Sequence, residues 1–83
     1  AAFVTQIGDD NSSLVSQTAT DNSATVNQLG DGGTSNIFQT ASGNEATVTQ
    51  KDGSNGATSL ISQSGADNNA TVAQDGTDNT SNV

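Results

Sequence analysis

Glutamine is the residue whose chemistry and spacing stand out in this chain. Its side-chain amide carries both donor hydrogens and an acceptor oxygen, so identical glutamines stacked in register can hydrogen-bond along the stack. Glutamine recurs with a constant short period, lengthened once by two, at Gln6, Gln17, Gln28, Gln39, Gln50, Gln63 and Gln74. A fixed short period indicates one structural unit repeated along an axis. We therefore expect these side chains to form structural ladders.

Catalytic chemistry lacks most of the residues that it needs. The chain contains no histidine and no cysteine, so a serine has no partner of the kind that activates it in a catalytic triad. A repeat of this kind predicts a stack of coils, a solenoid. Such a stack, filled with small side chains, offers no concave pocket for a substrate. We predict that the protein is not an enzyme and that it uses no cofactor.

Acidic residues are the other candidates for a binding site. Asp9 and Asp31 lie two glutamine periods apart, which would place them on adjacent layers about 5 Å apart. Such a pair, together with carbonyl oxygens, could bind Ca²⁺. The glycine and aspartate signature of calcium-binding β-rolls is absent, and the alternative is that these are solvated turn residues. We assign no metal site.

In the five residues that run up to and include each glutamine, every second position carries a restricted type of side chain. The residue four places before the glutamine is alanine or serine, and the residue two places before it is β-branched. This period of two is typical of a β-strand with one buried face. The predicted core residues are Val4, Val15, Val26, Ile37, Val48, Ile61 and Val72.

Turn-forming residues separate the predicted strands. Glycine and asparagine tolerate positive φ, and asparagine can also hydrogen-bond its own backbone. The predicted turn glycines are Gly8, Gly30, Gly65 and Gly76. We expect further structural ladder residues five places after the glutamines, at Asn11, Asn22, Asn44, Asn55, Asn68 and Asn79.

Two alternating classes of strand double the true period of the chain. One class reads ATVxQ, and the other, which ends at Gln17, Gln39 and Gln63, begins with serine. We predict an all-β protein, a parallel β-solenoid with two strands in each coil of about 22 residues, whose strands form two facing sheets. We expect a single domain, residues 1–83, in which the third coil contains a two-residue insertion near residues 52–56. About four coils are expected, near residues 1–22, 23–44, 45–68 and 69–83.

The composition excludes several classes of protein. Hydrophobic residues make up 29% of the chain and aromatic residues 2%, which is too little for a conventional globular core. The formal net charge is −8 and the only basic residue is Lys51. This acidity argues against a nucleic-acid or anionic-membrane partner. No apolar run is long enough to insert into a membrane.

The repeat N-x-[AS]-x-x-x-Q-x-[GA] resembles the curlin repeat of curli, the amyloid of bacterial biofilms. Its occurrences begin at Asn11, Asn22, Asn44 and Asn68, and Gly33 and Asp52 depart from the pattern. The resemblance implies a structural subunit, similar to the major curli subunit, of an extracellular amyloid fibre. It places the protein at the cell surface or in the biofilm matrix, with a role in adhesion.

The resemblance also implies the partners of the chain. Curlin proteins pass through an outer-membrane secretion pore and polymerise with a nucleator subunit, so these two proteins and copies of the chain itself are the expected partners. Because the strand ending at Gln6 repeats the one ending at Gln74, we expect copies to stack head to tail into a cross-β fibril. The alternative is a β-solenoid that is not an amyloid, either an adhesin stalk or an ice-binding protein.

Overall fold

The computed structural model describes residues 1–51 and 55–83. Within these residues the chain forms eight β-strands and no helix. The strands are β1 (Ala2–Gln6), β2 (Ser12–Gln17), β3 (Ser23–Gln28), β4 (Thr34–Gln39), β5 (Glu45–Gln50), β6 (Thr58–Gln63), β7 (Asn69–Gln74) and β8 (Thr80–Asn82). The described part of the chain thus contains no helix with the length and apolar character needed to cross a membrane.

The strands form two parallel sheets of four strands each. The first sheet has the order β1-β3-β5-β7 and the second sheet has the order β2-β4-β6-β8. The chain therefore alternates between the sheets and advances by one layer with every second strand. This is a parallel β-solenoid of about four coils, which confirms the predicted fold class.

Four layers and two arcs describe the solenoid. Layer 1 contains β1 and β2, and layer 4 contains β7 and β8. The first arc connects the first sheet to the second sheet within a layer, at residues 7–11, 29–33 and 75–79 and in the described part of 51–57. The second arc returns the chain to the first sheet of the next layer, at residues 18–22, 40–44 and 64–68.

The register of strand pairing places like residues on like residues. Gln28 pairs with Gln50 in the first sheet, at a sequence separation of 22. Gln39 pairs with Gln63 in the second sheet, at a sequence separation of 24. The pairing thus absorbs two additional residues in the third coil. Residues 52–54 of the predicted insertion lie outside the described residues.

The core lies between the two sheets and consists of small and β-branched side chains. Because side chains alternate between the faces of a strand, every second residue is buried, and Val26, Ile37, Val48 and Ile61 are each 0% exposed. Each of these contributes about 1.5–3 kcal/mol through burial. Val4 is 44% exposed and Val15 is half-buried; both lie in layer 1, at one end of the solenoid.

Candidate functional site: the amide ladders

A ladder of side-chain amides runs through the first sheet. Gln6 Nε2 donates to Gln28 Oε1 at 2.7 Å, and Gln28 Nε2 donates to Gln50 Oε1 at 2.9 Å. Gln50 Nε2 donates to Gln74 Oε1 at 2.9 Å. Gln28, Gln50 and Gln74 are buried, whereas Gln6 in layer 1 is exposed. In each of these bonds the amide N–H donates to the glutamine in the layer with the next higher number. The ladder therefore has a direction along the solenoid axis.

The second sheet contains an equivalent ladder. Gln17 Nε2 donates to Gln39 Oε1 and Gln39 Nε2 donates to Gln63 Oε1, both at 2.8 Å. Gln39 and Gln63 are buried, and Gln17 in layer 1 is half-buried. Donation again runs toward the higher layer, so the two ladders are parallel.

The same glutamines also hydrogen-bond to the backbone of the opposite sheet. Gln28 Nε2 donates to the backbone oxygen of Ser12 at 3.0 Å, and Gln39 Nε2 donates to that of Ser23 at 3.1 Å. These carbonyls belong to the first residues of the facing strands. Equivalent bonds join Gln17, Gln50, Gln63 and Gln74 to the carbonyls of Ala1, Thr34, Glu45 and Thr58. One amide therefore satisfies buried groups of its own sheet and of the opposite sheet.

Asparagines form a continuous ladder along the second arc. The backbone N–H of Asn44 donates to Asn22 Oδ1, and that of Asn68 donates to Asn44 Oδ1, both at 2.9 Å. Asn44 Nδ2 donates to the carbonyl of Ala41 at 2.9 Å within its own arc. Asn22 and Asn44 are buried and Asn68 is exposed. The asparagine side chain thus shapes its arc and links it to the next layer.

The first arc has only parts of such a ladder. Asn11 Oδ1 accepts a hydrogen bond from the backbone N–H of Gly33 at 2.8 Å. In layer 4, Asn79 Nδ2 donates to the carbonyl of Asp75 at 2.7 Å. Gly33 takes the layer 2 position of this column, where it contributes its backbone N–H and has no side chain to continue the ladder.

Asn55 does not lie in the column of the first arc that contains Asn11 and Gly33. It pairs with Asp31 in an isolated bridge, and the column that contains Asn11 and Gly33 continues at Ala57, whose carbonyl accepts the N–H of Thr34 at 2.8 Å. The count of five places from the preceding glutamine failed because the third coil is longer than the others by two residues.

Positive φ angles in the described residues fall on glycines and aspartates and on none of the asparagines. The predicted turn glycines Gly8 and Gly76 have φ of 104° and 105°, whereas Gly30 and Gly65 do not have positive φ. The non-glycine residues with positive φ are Asp10, Asp21, Asp67 and Asp78. Each directly precedes an arc asparagine. The aspartate makes the bend, so the asparagine is free to begin the next strand. The Asp-Asn dipeptide is the sequence signal for this bend.

Two glycines are required because other groups approach them closely. A Cβ on Gly8 would collide with the backbone carbonyl of Gly30 in layer 2. A Cβ on Gly33 would lie 2.5 Å from Gln50 Oε1 and 3.0 Å from Asn11 Oδ1. Gly33, which departs from the repeat pattern, therefore makes room for the glutamine ladder.

Serines line the inner face of the second sheet. The Oγ atoms of Ser13, Ser35 and Ser59 are buried and have no hydrogen-bond partner among the described residues. Ser35 and Ser59 are each 0% exposed. A buried hydroxyl without a partner costs free energy. The small side chain fits the position, and nothing in the structure explains why serine rather than alanine occupies it.

Charged groups lie on the surface of the arcs and strand ends. Asp31 Oδ1 accepts the backbone N–H of Asp9 at 3.0 Å, which is a turn contact between layers. Lys51 Nζ lies 3.8 Å from Asp75 Oδ2, with both side chains exposed, and such a pair contributes about 0–1 kcal/mol. In residues 1–51 and 55–83, no group of three or more acidic side chains is arranged to hold a metal ion.

One strand and one arc, opened by asparagine and closed by glutamine, make up the recurring unit of this structure. The family model of the curlin associated repeat matches residues 1–30 and 58–83, more than half of the chain. The chain belongs to the curlin repeat family. Comparison with curated proteins and with solved structures found no match. Residues 31–57, outside the family match, contain Gly33 and the longer arc of the third coil. Curlin repeats belong to structural proteins, and the family and the β-solenoid fold together fit a curli-like structural subunit.

Proposed function

We propose that this curlin-repeat chain is the subunit of an extracellular amyloid fibre that grows by head-to-tail stacking of copies. One observation carries the proposal. The two edge strands of the first sheet present the same inner face, in which a small, a β-branched and an amide side chain alternate. These residues are Ala2, Val4 and Gln6 in β1 and Ala70, Val72 and Gln74 in β7.

The exposure of layer 1 supports this mode of stacking. Val4 is 44% exposed, whereas its partner Val26 is 0% exposed beneath the next layer. If β7 of one copy paired with β1 of the next, Val4 would gain the cover that Val26 already has. The direction of the glutamine ladder is also suitable, because Gln74 Nε2 of one copy would donate to Gln6 Oε1 of the next.

The shape of layer 4 is complementary to this role. An open cleft between β7 and β8 is lined by residues that include Val72, Gln74 and Asn79. The next copy would cover this cleft with its own layer 1. Such a contact joins two different surfaces and does not close, so it produces an unbounded filament. All 83 residues act as one structural unit in this proposal, and the coil boundaries near 1–22, 23–44, 45–68 and 69–83 stay predictions.

Membership of the curlin repeat family supports the cellular part of the proposal. The fibre would lie at the cell surface or in the biofilm matrix and would serve adhesion. Besides copies of itself, the chain would meet a nucleator subunit and an outer-membrane secretion pore. The alternative is a solenoid that stays monomeric, either an adhesin stalk or an ice-binding protein.

Substitution of Gly76 tests the stacking. Gly76 has nearly the same φ as Gly8, and the nearest atom to a Cβ at Gly76 is Asn79 Nδ2 at 3.5 Å. In the filament, the next copy would lie over Gly76 in the same way that Gly30 lies over Gly8 within one copy. A methyl group at Gly76 would therefore collide at the junction between copies. Within one copy it meets no atom closer than 3.5 Å and adds only the backbone strain of alanine at positive φ.

We expect Gly76→Ala to slow seeded elongation strongly, measured by amyloid-dye fluorescence and electron microscopy. The control is Gly32→Ala, at a positive φ of 65° and with its nearest neighbour at 3.8 Å, and the denaturant midpoint of each unassembled variant measures the backbone strain that the substitution adds. Equal elongation rates for the two variants would contradict head-to-tail stacking. A wild-type chain that remains a monodisperse monomer over time would overturn the fibre proposal and favour the monomeric alternatives.

A further inference from the structure

Large and small side chains alternate along the outward-facing side of the second sheet. We call this surface the second outer face, and it comprises the outward residues of β2, β4, β6 and β8. By the strand register, one column contains Leu14, Asn36, Leu60 and Asn82, and the neighbouring column contains Ser16, Phe38 and Ser62. In layers 1 to 3 the large apolar side chain therefore changes column from one layer to the next, and layer 4 presents Asn82.

This alternation makes the second outer face complementary to itself. The large side chains follow a zigzag along the axis, at Leu14, Phe38 and Leu60. The small side chains of Ser16 and Ser62 leave depressions beside them. The columns are about 7 Å apart and the layers about 4.8 Å apart. When two such faces meet, the large side chains of each can enter the depressions of the other, as in the dry interface between paired amyloid sheets.

The distribution of charge favours contact through the same face. Strands β2, β4, β6 and β8 contain no charged residue, although the chain carries a net charge of −8. The first sheet, in contrast, begins β5 with Glu45, and Lys51 and Asp75 follow its strands. Two copies therefore approach with the least charge repulsion when their second outer faces meet.

The area of the second outer face determines when pairing occurs. A strand of six residues is about 20 Å long and four layers are about 19 Å high, so one copy offers roughly 400 Å². Two copies would bury roughly 800 Å², below the range of about 1,200–2,000 Å² that is usual for stable interfaces. Two stacks of three copies would bury roughly 2,400 Å². Single copies should therefore stay apart, and stacked copies should pair.

We infer that the second outer face is a lateral interface through which two filaments of this chain pair. The occupant of the face is a second copy of the same chain, held in a filament. The inference rests on the proposed function, because only stacked copies present enough area. Fibre growth then has two stages, in which stacking comes first and lateral pairing follows.

The two phenylalanines of the chain provide a matched test. Phe38 lies on the second outer face and Phe3 lies on the outer side of the first sheet. We expect Phe38→Ser to form filaments whose mass per unit length is about half that of wild type, measured by scanning transmission electron microscopy. Phe3→Ser makes the same chemical change on the opposite side and should keep the wild-type value.

A second pair of variants keeps the test decisive if Phe38→Ser fails to assemble. Ser62 and Thr49 each directly precede a ladder glutamine in layer 3, on opposite outer faces. Ser62→Lys would place a charge within the interface, beside Phe38 in its column, and should yield single filaments. Thr49→Lys reduces the net charge equally and should leave filaments paired.

The outcomes separate this inference from the proposed function. Wild-type filaments that are single, or an equal loss of pairing in both members of a variant pair, would overturn the lateral interface while leaving head-to-tail stacking intact. The absence of wild-type filaments would overturn the proposed function and, with it, this inference. Unstacked wild-type chains that dimerise would also contradict the inference, because their second outer faces are too small.

Discussion

Replacement of Gln50 by alanine removes a central member of the longer glutamine ladder. Gln50 is 1% exposed. Its Oε1 accepts from Gln28, and its Nε2 donates to Gln74 and to the carbonyl of Ala57, each at 2.9 Å. The substitution therefore affects the layers on both sides as well as the corner of the third coil.

The cost follows from the groups that lose their partners. Gln74 Oε1 loses its donor in a buried position, while Gln28 Nε2 keeps the carbonyl of Ser12. One unsatisfied buried acceptor costs about 1–3 kcal/mol. That range corresponds to a change of about 5-fold to 150-fold in an equilibrium constant. The cavity left by the shorter side chain adds to this cost.

The assay is the concentration of soluble, unfolded chain that remains in equilibrium with fibres in denaturant, because the bonds of Gln50 lie within one copy and are lost when that copy unfolds. We expect Gln50→Ala to raise it by at least the lower end of the range, and to slow seeded growth. The control is Thr49→Ala, because Thr49 lies next to Gln50 in β5, faces outward and is half-buried. A surface change of this kind alters stability by less than about 0.5 kcal/mol. The same soluble concentration for both variants would refute the idea that the ladder stabilises the fibre.

Three further predictions concern charge, the arcs and the core. Because the net charge is −8, acidification or added salt should shorten the lag of assembly, and slower dye-monitored growth at acidic than at neutral pH would contradict this. Asn44→Ala should destabilise the fibre by about 1–3 kcal/mol, since it breaks a buried ladder. Asn55→Ala should change stability by less than about 0.5 kcal/mol, and equal denaturant midpoints for the two variants would refute the assignment of the arcs. Ser59→Ala should leave stability unchanged or raise it, because it removes a buried hydroxyl that has no partner among the described residues; a clear loss of stability in denaturant would show that this hydroxyl is satisfied.

The layers and sheets of this protein could be predicted from the sequence because they depend on local periods. A β-branched residue two places before each glutamine specifies which face of the strand is buried, and a one-residue slip would expose it. The alternation of two strand classes specifies two sheets. These two patterns together predict that Gln28 stacks on Gln50 and Val26 on Val48, as the structure shows.

The arcs could be predicted only in part, because turn residues are interchangeable in ways that strand residues are not. Glycine, asparagine and aspartate all tolerate positive φ, so the sequence did not reveal that Asp10 and Asp21, rather than the asparagines after them, adopt it. The geometry of the amide decides this. Asn22 directly precedes β3, and its Oδ1 accepts from the backbone N–H of Asn44 in the layer above. The bend therefore falls on the residue before it, Asp21.

The sequence by itself determined the repeat, the inner face of each strand and the two-sheet solenoid, because hydrophobic alternation and amide stacking act between residues at fixed spacing. Only the tertiary structure decided which residue of the longer coil continues the column of Asn11 and Gly33. Asn55 and Ala57 compete for one position in the first arc, and the choice depends on which backbone carbonyl meets the N–H of Thr34 across the layer. Only the tertiary structure, likewise, revealed that Val4 of layer 1 is exposed whereas Val72 of layer 4 is buried, because exposure depends on how the layers stack and not on the residue types within one repeat.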